Sequence, residues 1–381
     1  MSITVKTTVK TTAKNYAGGK SDRVGNNTAK PTNKTKNKFS DSPIHTRGRL
    51  LISACASGKP LAEKIFQKLK EKANPSEKGH IHFVETEEIC FANGEIKTVI
   101  KESIRGGDLY IFQDVENSVM PYSVNDNLMA LKTHIDAAKR SDAKMITVVV
   151  PVFPYARQDK SSEREGITAA RIAQEFEQHG ADYILTFDIH NTAIKGFFRQ
   201  AKLENLRASK NIIDFVRSNI NCENLVIASP DTGGTKRAEF FAQKLGRPFV
   251  VCYKPRDYSV PNKVERLDVL GHVKDCDVLA VDDMIDTAGT VEKACTTLKK
   301  VGAKRIYFAC SLPLFNGRAI DILDRLYREG LLDMVIGTDT VYHGEDFSIR
   351  YPWYKVVSIA SYLAKVIRNL NCNESISKLL E

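Results

Sequence analysis

The stretch VLAVDDMIDTAGT, residues 278–290, decides how this chain reads. Val278, Leu279, Ala280 and Val281 form an apolar run with the length of a strand buried on both faces in a parallel sheet. Asp282, Asp283 and Asp286 fall where that strand would emerge. Thr287 to Thr290 would turn into a helix from Val291 to Val301. There Val291, Ala294, Leu298 and Val301 keep the three-to-four spacing of one buried face. Ligands of open α/β sheets bind at the carboxyl ends of strands. Carboxylates placed there suit hydroxyls or a metal, and a helix N-terminus suits an anion.

Working outward, strand-like runs alternate with helical patterns from Arg49 onward: LLIS at 50, LYIF at 109, MITVVVPVF at 145, YILTF at 183, LVIAS at 225, FVVCY at 249 and RIYFACSLPLF at 305. Such alternation implies βαβ units and a largely parallel sheet. The order also repeats. GGDLYIFQD at 106 and DAKMITVVVPVF at 142 parallel DCDVLAVDD at 275 and GAKRIYFACSLPLF at 302, aligning Asp108 with Asp277 and Lys144 with Lys304. A repeat this long points to duplicated domains rather than a solenoid. The expected division is 49–203 and 204–359, with a final helix carrying Val356, Ile359, Leu363 and Val366 on one face. That helix and the rest of 360–381 would pack back on the first half.

At 381 residues and 42% apolar composition the chain suits two domains with cores. No run is long enough to span a membrane, and no hydrophobic signal opens the chain. The eight scattered cysteines include no C-x-x-C pair, which favours free buried thiols in a reducing, cytoplasmic compartment over a zinc site or disulfide framework. The net charge of +10 is concentrated in residues 1–49, which hold eleven Lys or Arg but only Asp22 and Asp41 as acids. Residues 1–48 therefore read as a disordered basic tail. A solvated tail is the leading reading, beside a nucleic-acid-touching arm or a targeting peptide. The remainder is near neutral, so nucleic acid is not expected as the main partner.

Four further fragments fall at strand ends. PYARQDK (154–160) offers Arg157 for a phosphate, Gln158 for a base or ribose and Lys160 as a mobile charge, before a polar SSEREG that suits a lid. TFDIHNT (186–192) places His190 two residues from Asp188. A lone histidine there is structural or, beside a carboxylate, a metal ligand. SPDTGGTKR (229–237) offers Asp231 as a ligand, a tight turn at Gly233 and Gly234, and Lys236 and Arg237 at a helix start. YKPRDYS (253–259) adds Lys254 and Arg256. Singly, each is an ordinary solvated loop; together all four suit phosphate, magnesium or sugar hydroxyls.

VDDMIDTAGT resembles the phosphoribosyl-pyrophosphate motif of type I phosphoribosyltransferases. FANGE at 91, SIRGGDLYIFQ at 103, NDNLMAL at 125, PYARQDK, DIHNTAIKGFF at 188, SPDTGG and NESISKLL at 373 resemble, in order, the ribose-phosphate diphosphokinase family, from residue 50 to the end. The resemblance implies an α/β fold of two tandem phosphoribosyltransferase-like, Rossmann-like domains with mainly parallel sheets. It implies diphosphoryl transfer from ATP to ribose 5-phosphate, release of AMP, a Mg2+ requirement and homo-oligomers built from dimers, commonly hexamers.

It further implies that Phe91, Asn93 and Glu95 bind adenine across a subunit contact, with Arg157, Gln158 and Asp159 also on ATP. His190 and Asp231 would position magnesium. Asp282 and Asp283 would engage the ribose 2- and 3-hydroxyls, and the loop Asp286, Thr287, Ala288, Gly289 and Thr290 would hold the 5-phosphate. Lys254 and Arg256 would be the catalytic cations. The chain departs from the family in three places. Ala288 replaces a usual glycine, where a Cβ is harmless at negative φ and costly at positive φ. The lid between Asp159 and Ile167 is shorter, and the segment between Gln113 and Asn125 is longer. These departures put allosteric regulation by phosphate or ADP in question. They keep open a non-catalytic, synthetase-associated subunit and, further off, a phosphoribosyltransferase.

Overall fold

Short β-branched runs bounded by turns set the frame, and buried helix faces cover it. The structure, a computed structural model, describes residues 46–253 and 268–380. Most of the expected tail and both Lys254 and Arg256 lie outside the described residues. In chain order the first strands are β1 (Leu50–Ala54), β2 (Ile81–Phe83), β3 (Thr86–Cys90), β4 (Ile96–Ile100), β5 (Asp108–Phe112), β6 (Met145–Val149), β7 (Tyr183–Phe187) and β8 (Lys202–Leu206). Six of them make a parallel sheet in the order β2-β1-β5-β6-β7-β8, while β3 and β4 form a separate antiparallel hairpin. Strands β9 (Leu225–Ser229), β10 (Phe249–Tyr253), β11 (Asp268–Leu270), β12 (Asp277–Ile285), β13 (Ile306–Pro313), β14 (Met334–Thr338) and β15 (Tyr354–Val357) make the second sheet. Its order is β11-β10-β9-β12-β13-β14-β15, parallel except for β11.

Reading outward from the paired βαβ units at β5–β6 and β12–β13, the two sheets have the same strand order: β1, then β2 on one side and β7, β8 on the other, against β9, β10 and β14, β15. Asp108 and Asp277 both open their central strands, buried. β8 pairs with β7, so a division between 203 and 204 falls inside a strand of the first sheet.

Both β5 and β13 are fully buried and, apart from Asp108 and Ser311, apolar, as burial on two faces demands. The helix Val124–Arg140 starts where Ser123 Oγ accepts the Asp126 N–H and Asp126 Oδ2 accepts the Ser123 N–H, a reciprocal cap. The long helix expected near the end of the chain is Ala360–Asn371, followed by a short one, Ser377–Leu380. The long helix buries Leu363, Val366, Ile367 and Leu370, each contributing on the order of 2 kcal/mol. Val356 is not on it; that residue lies in β15, half exposed. This helix docks on the first half, where Asn371 Nδ2 donates to Asp108 Oδ2 at 2.9 Å and Tyr110 Oη donates to the Ile367 carbonyl at 3.3 Å. The long 113–123 segment ties the halves at the opposite edge: Asp114 Oδ2 accepts the Tyr342 N–H at 2.7 Å, and the Ser118 N–H reaches the Tyr342 carbonyl. Burial pushes the Asp114 carboxyl up to about 8 despite the N–H donors of Tyr342 and Glu116.

Candidate active site

The carboxyl ends of strands from both sheets border one cavity of about 660 Å³. β12 runs further than its apolar stretch alone indicates, through Ile285, so Asp282 and Asp283 are part of the strand, with Asp282 opposite Cys310 and Met284 opposite Leu312 on β13. Asp283 donates its N–H to Asp282 Oδ1 at 2.8 Å and accepts the Met284 N–H on Oδ1 at 2.9 Å. Burial and then the neighbouring Asp283 charge push Asp282 up to about 8. Burial also works upward on Asp283, but the His190 hydrogen bond and the Arg237 guanidinium outweigh it and hold this carboxyl below its ordinary range. Adjacent carboxylates in a low-dielectric site split in this way.

His190 Nδ1 lies 3.1 Å from Asp283 Oδ2, and that hydrogen bond raises the imidazole against the opposing effect of burial. With Nδ1 so engaged, Nε2 is the ring nitrogen left for a ligand. Arg237 reaches across the cavity wall, donating to Asp188 Oδ1 at 3.3 Å and lying 4.0 Å from Asp283 Oδ2. Asp188 is held by the Ala208 N–H at 3.0 Å. Asp231 Oδ1 accepts the Gly234 N–H at 2.9 Å, closing a turn in which a Cβ on Gly234 would come 2.9 Å from Ser229 Oγ.

The Asp286–Thr290 loop forms the facing wall. The helix begins at Gly289, two residues earlier than the sequence spacing suggests, because Ala288 takes a left-handed conformation with φ 62° and turns the chain. Among the described residues no carbonyl accepts the N–H of Thr287 or Ala288, and the first helical N–H groups are unpaired by construction. Together with the helix dipole they make an anion cradle. Asp286 itself is engaged: Arg157 Nη1 donates to its Oδ2 at 2.6 Å and Asn316 Nδ2 to its Oδ1 at 2.9 Å.

The structure therefore brings together Arg157, His190, Asp231, Asp282, Asp283, Asp286, Thr287, Ala288, Gly289 and Thr290. Gln158 lines an adjoining cavity of about 410 Å³ that also touches Arg157 and His190. Asp159 lines neither cavity and accepts a hydrogen bond from Asn191. Phe91, Asn93 and Glu95 stand at the tip of the β3–β4 hairpin, outside both cavities, with Phe91 46% exposed. The sequence reading passed over Arg237, Asp188, Asn316 and Glu116 as site residues. Arg237 and Asp188 sat inside quoted motifs, and a cation three residues from the Gly-Gly turn was the available signal. Asn316 and Glu116 carried none.

Among the described residues no three His, Cys, Asp or Glu side chains converge as a preformed metal cage. Magnesium rarely uses one; it takes one or two carboxylates together with substrate phosphates and water. The oxygen-rich wall formed by Asp231, Asp282 and Asp283 fits that habit.

Two family models match the chain: the N-terminal domain of ribose phosphate pyrophosphokinase over residues 50–180, and the phosphoribosyl transferase domain over residues 200–327. The ribose-phosphate pyrophosphokinase 2 of Enterococcus faecalis is 36% identical over 337 residues, covering 87% of this chain and 96% of that protein. The ribose-phosphate pyrophosphokinase of Chlorobaculum tepidum is 40% identical over 292 residues, 76% of this chain and 85% of its own. The crystal structure of phosphoribosylpyrophosphate synthetase from Mycobacterium smegmatis superposes with a TM-score of 0.74 at 33% identity, covering 85% of this chain and 99% of that one. Shared fold, shared domains and identity over nearly the whole described region lead to one conclusion: the chain belongs to the ribose-phosphate pyrophosphokinase family.

Proposed function

We propose that the protein transfers the β,γ-diphosphoryl group of ATP to the anomeric hydroxyl of ribose 5-phosphate, giving phosphoribosyl pyrophosphate and AMP. One observation supports this above the others. A carboxylate pair, a histidine with a free ring nitrogen and an anion cradle border a single cavity at the strand ends of a family fold. The cradle from Thr287 to Thr290 suits the 5-phosphate, and Asp282 and Asp283 suit the ribose hydroxyls beside it. Asp282, pushed up to about 8, is able to donate as well as accept a hydrogen bond near neutral pH.

In the transfer, the anomeric oxygen forms a bond to the β-phosphorus. The bond from that phosphorus to the α,β-bridging oxygen breaks, AMP leaves with that oxygen, and the hydroxyl proton is released. Arg157 and Gln158 would hold ATP, with Asp159 orienting the loop through Asn191. Phe91, Asn93 and Glu95 would take adenine from a neighbouring copy, since a hairpin tip this exposed is placed to reach outward. Lys254 and Arg256 would meet the charge that develops in the transition state. Asp231 and His190 Nε2 would hold Mg2+, which, when bound, supplies positive charge to the transferring phosphates. Homo-oligomers and a cytoplasmic location go with this reading. No helix among the described residues is long and apolar enough to cross a membrane.

The test is replacement of His190 by alanine with the two substrates varied separately. A rise in the Mg2+ concentration needed for half-maximal AMP release supports the assignment, and an unchanged requirement removes His190 from the metal site.

A further inference from the structure

Asp286 sits in the loop read as the ribose 5-phosphate cradle, yet both of its oxygens are taken by protein. Arg157 holds Oδ2 at 2.6 Å and Asn316 Nδ2 holds Oδ1 at 2.9 Å. The same Asn316 amide nitrogen lies 3.3 Å from Glu116 Oε2. The four residues come from four segments: Glu116 from the long loop after β5, Arg157 from the loop after β6, Asp286 from the turn after β12, and Asn316 from the loop after β13. The chain of contacts therefore joins both sheets at their carboxyl ends. A free carboxylate at the mouth of a phosphate cradle would repel a phosphate dianion, whereas one paired with a guanidinium and an amide does not.

We propose that Asp286 is a positioning residue that aims Arg157 at ATP, and that Asn316, backed by Glu116, fixes Asp286 for that task. The inference rests on the reading above in which Arg157 serves ATP. Glu116 fits the part. It lies partly buried on the adjoining cavity, and burial raises its carboxyl, with Asp286 adding to that and the Asn316 hydrogen bond and Arg157 opposing it. An amide donor shared between two carboxylates relieves their mutual repulsion and orients both. The 113–123 segment thereby acquires a role at the site: besides tying the halves together, it supplies the last member of the relay.

The experiment is a double-mutant cycle on the full-length protein, read by calorimetric titration with α,β-methylene-ATP in Mg2+ and, separately, with ribose 5-phosphate. Asn316→Ala is expected to weaken the ATP analogue about fivefold and to leave ribose 5-phosphate within about twofold, the range of one lost hydrogen bond. In an Arg157→Ala background the same change is expected to have no further effect, because the relay acts only through that arginine. Equal weakening in both backgrounds, or no weakening in either, overturns the proposal. Should Asn316→Ala lose its cooperative melt, Glu116→Ala cuts the same relay one link further out and is expected to follow the same pattern. A wild type that binds the analogue but releases no AMP defeats the proposed reaction and leaves the relay standing. A wild type that binds no analogue defeats both.

Discussion

Ala288 has the sharpest consequence of any single residue. Its φ of 62° lies in the left-handed region, where a Cβ costs an L-residue about 1–2 kcal/mol. Ala288→Gly is therefore expected to raise stability by about 1 kcal/mol, read as a higher urea midpoint at unchanged slope. A lower midpoint would show that the buried methyl group outweighs the strain. For Lys254, alanine is expected to cut turnover about a thousandfold or more without moving the melt, the scale of a transition-state cation in phosphoryl transfer. Near-normal turnover would remove Lys254 from the mechanism. At this scale the sequence was informative wherever one contiguous motif carried the group to a strand end, as with His190, Asp231, Asp282 and Asp283. It was silent on Asn316 and Glu116, whose meaning depends on partners 30 and 200 positions away.

Among the elements, the strands β1, β5, β7, β9 and β13 were legible because burial on both faces makes them mostly apolar, each with a single polar residue such as Ser53, Asp108 or Ser311. β3, β4 and β8 were not, since partial exposure and charged positions such as Glu87, Glu88 and Glu204 break the apolar run. β12 was read short for a similar reason: two acidic residues mask its last turn. The helix Ala360–Asn371 makes a testable clamp. Among the described residues Asp108 Oδ1 is buried without a hydrogen-bond partner, and Asn371 and Tyr110 both donate to its Oδ2. Asn371→Ala is expected to cost about 2 kcal/mol, the range for leaving a buried polar group short of a donor. The cavity residues are untouched, so turnover at saturating substrate should not change. A melt equal to wild type would show that the helix is held by its apolar face alone.

Across the whole molecule, the duplicated order of strands was visible as a repeated sequence pattern and the return of the last helix to the first half was expected, but the residues that make the ties were not legible. The ties from Asp114 to Tyr342 and from Asn371 to Asp108 span more than two hundred positions and leave no periodic trace. Global stability should also carry a pH signature. His134 is buried between Ser53 and Cys55, and burial lowers its imidazole to about 4. The unfolded chain then binds the extra proton between about 6.5 and 4, so stability is lost as pH falls through that window. Between pH 7.5 and 5, wild type is expected to lose about 2 kcal/mol more than His134→Gln, measured by urea unfolding. Equal losses would place His134 in contact with water. The central claim itself is tested by incubating the full-length protein with ATP, Mg2+ and ribose 5-phosphate and following the phosphorus species by NMR. AMP and a sugar diphosphate should rise together, and only when ribose 5-phosphate is present. A well-folded protein that binds ATP and releases no AMP would contradict the account.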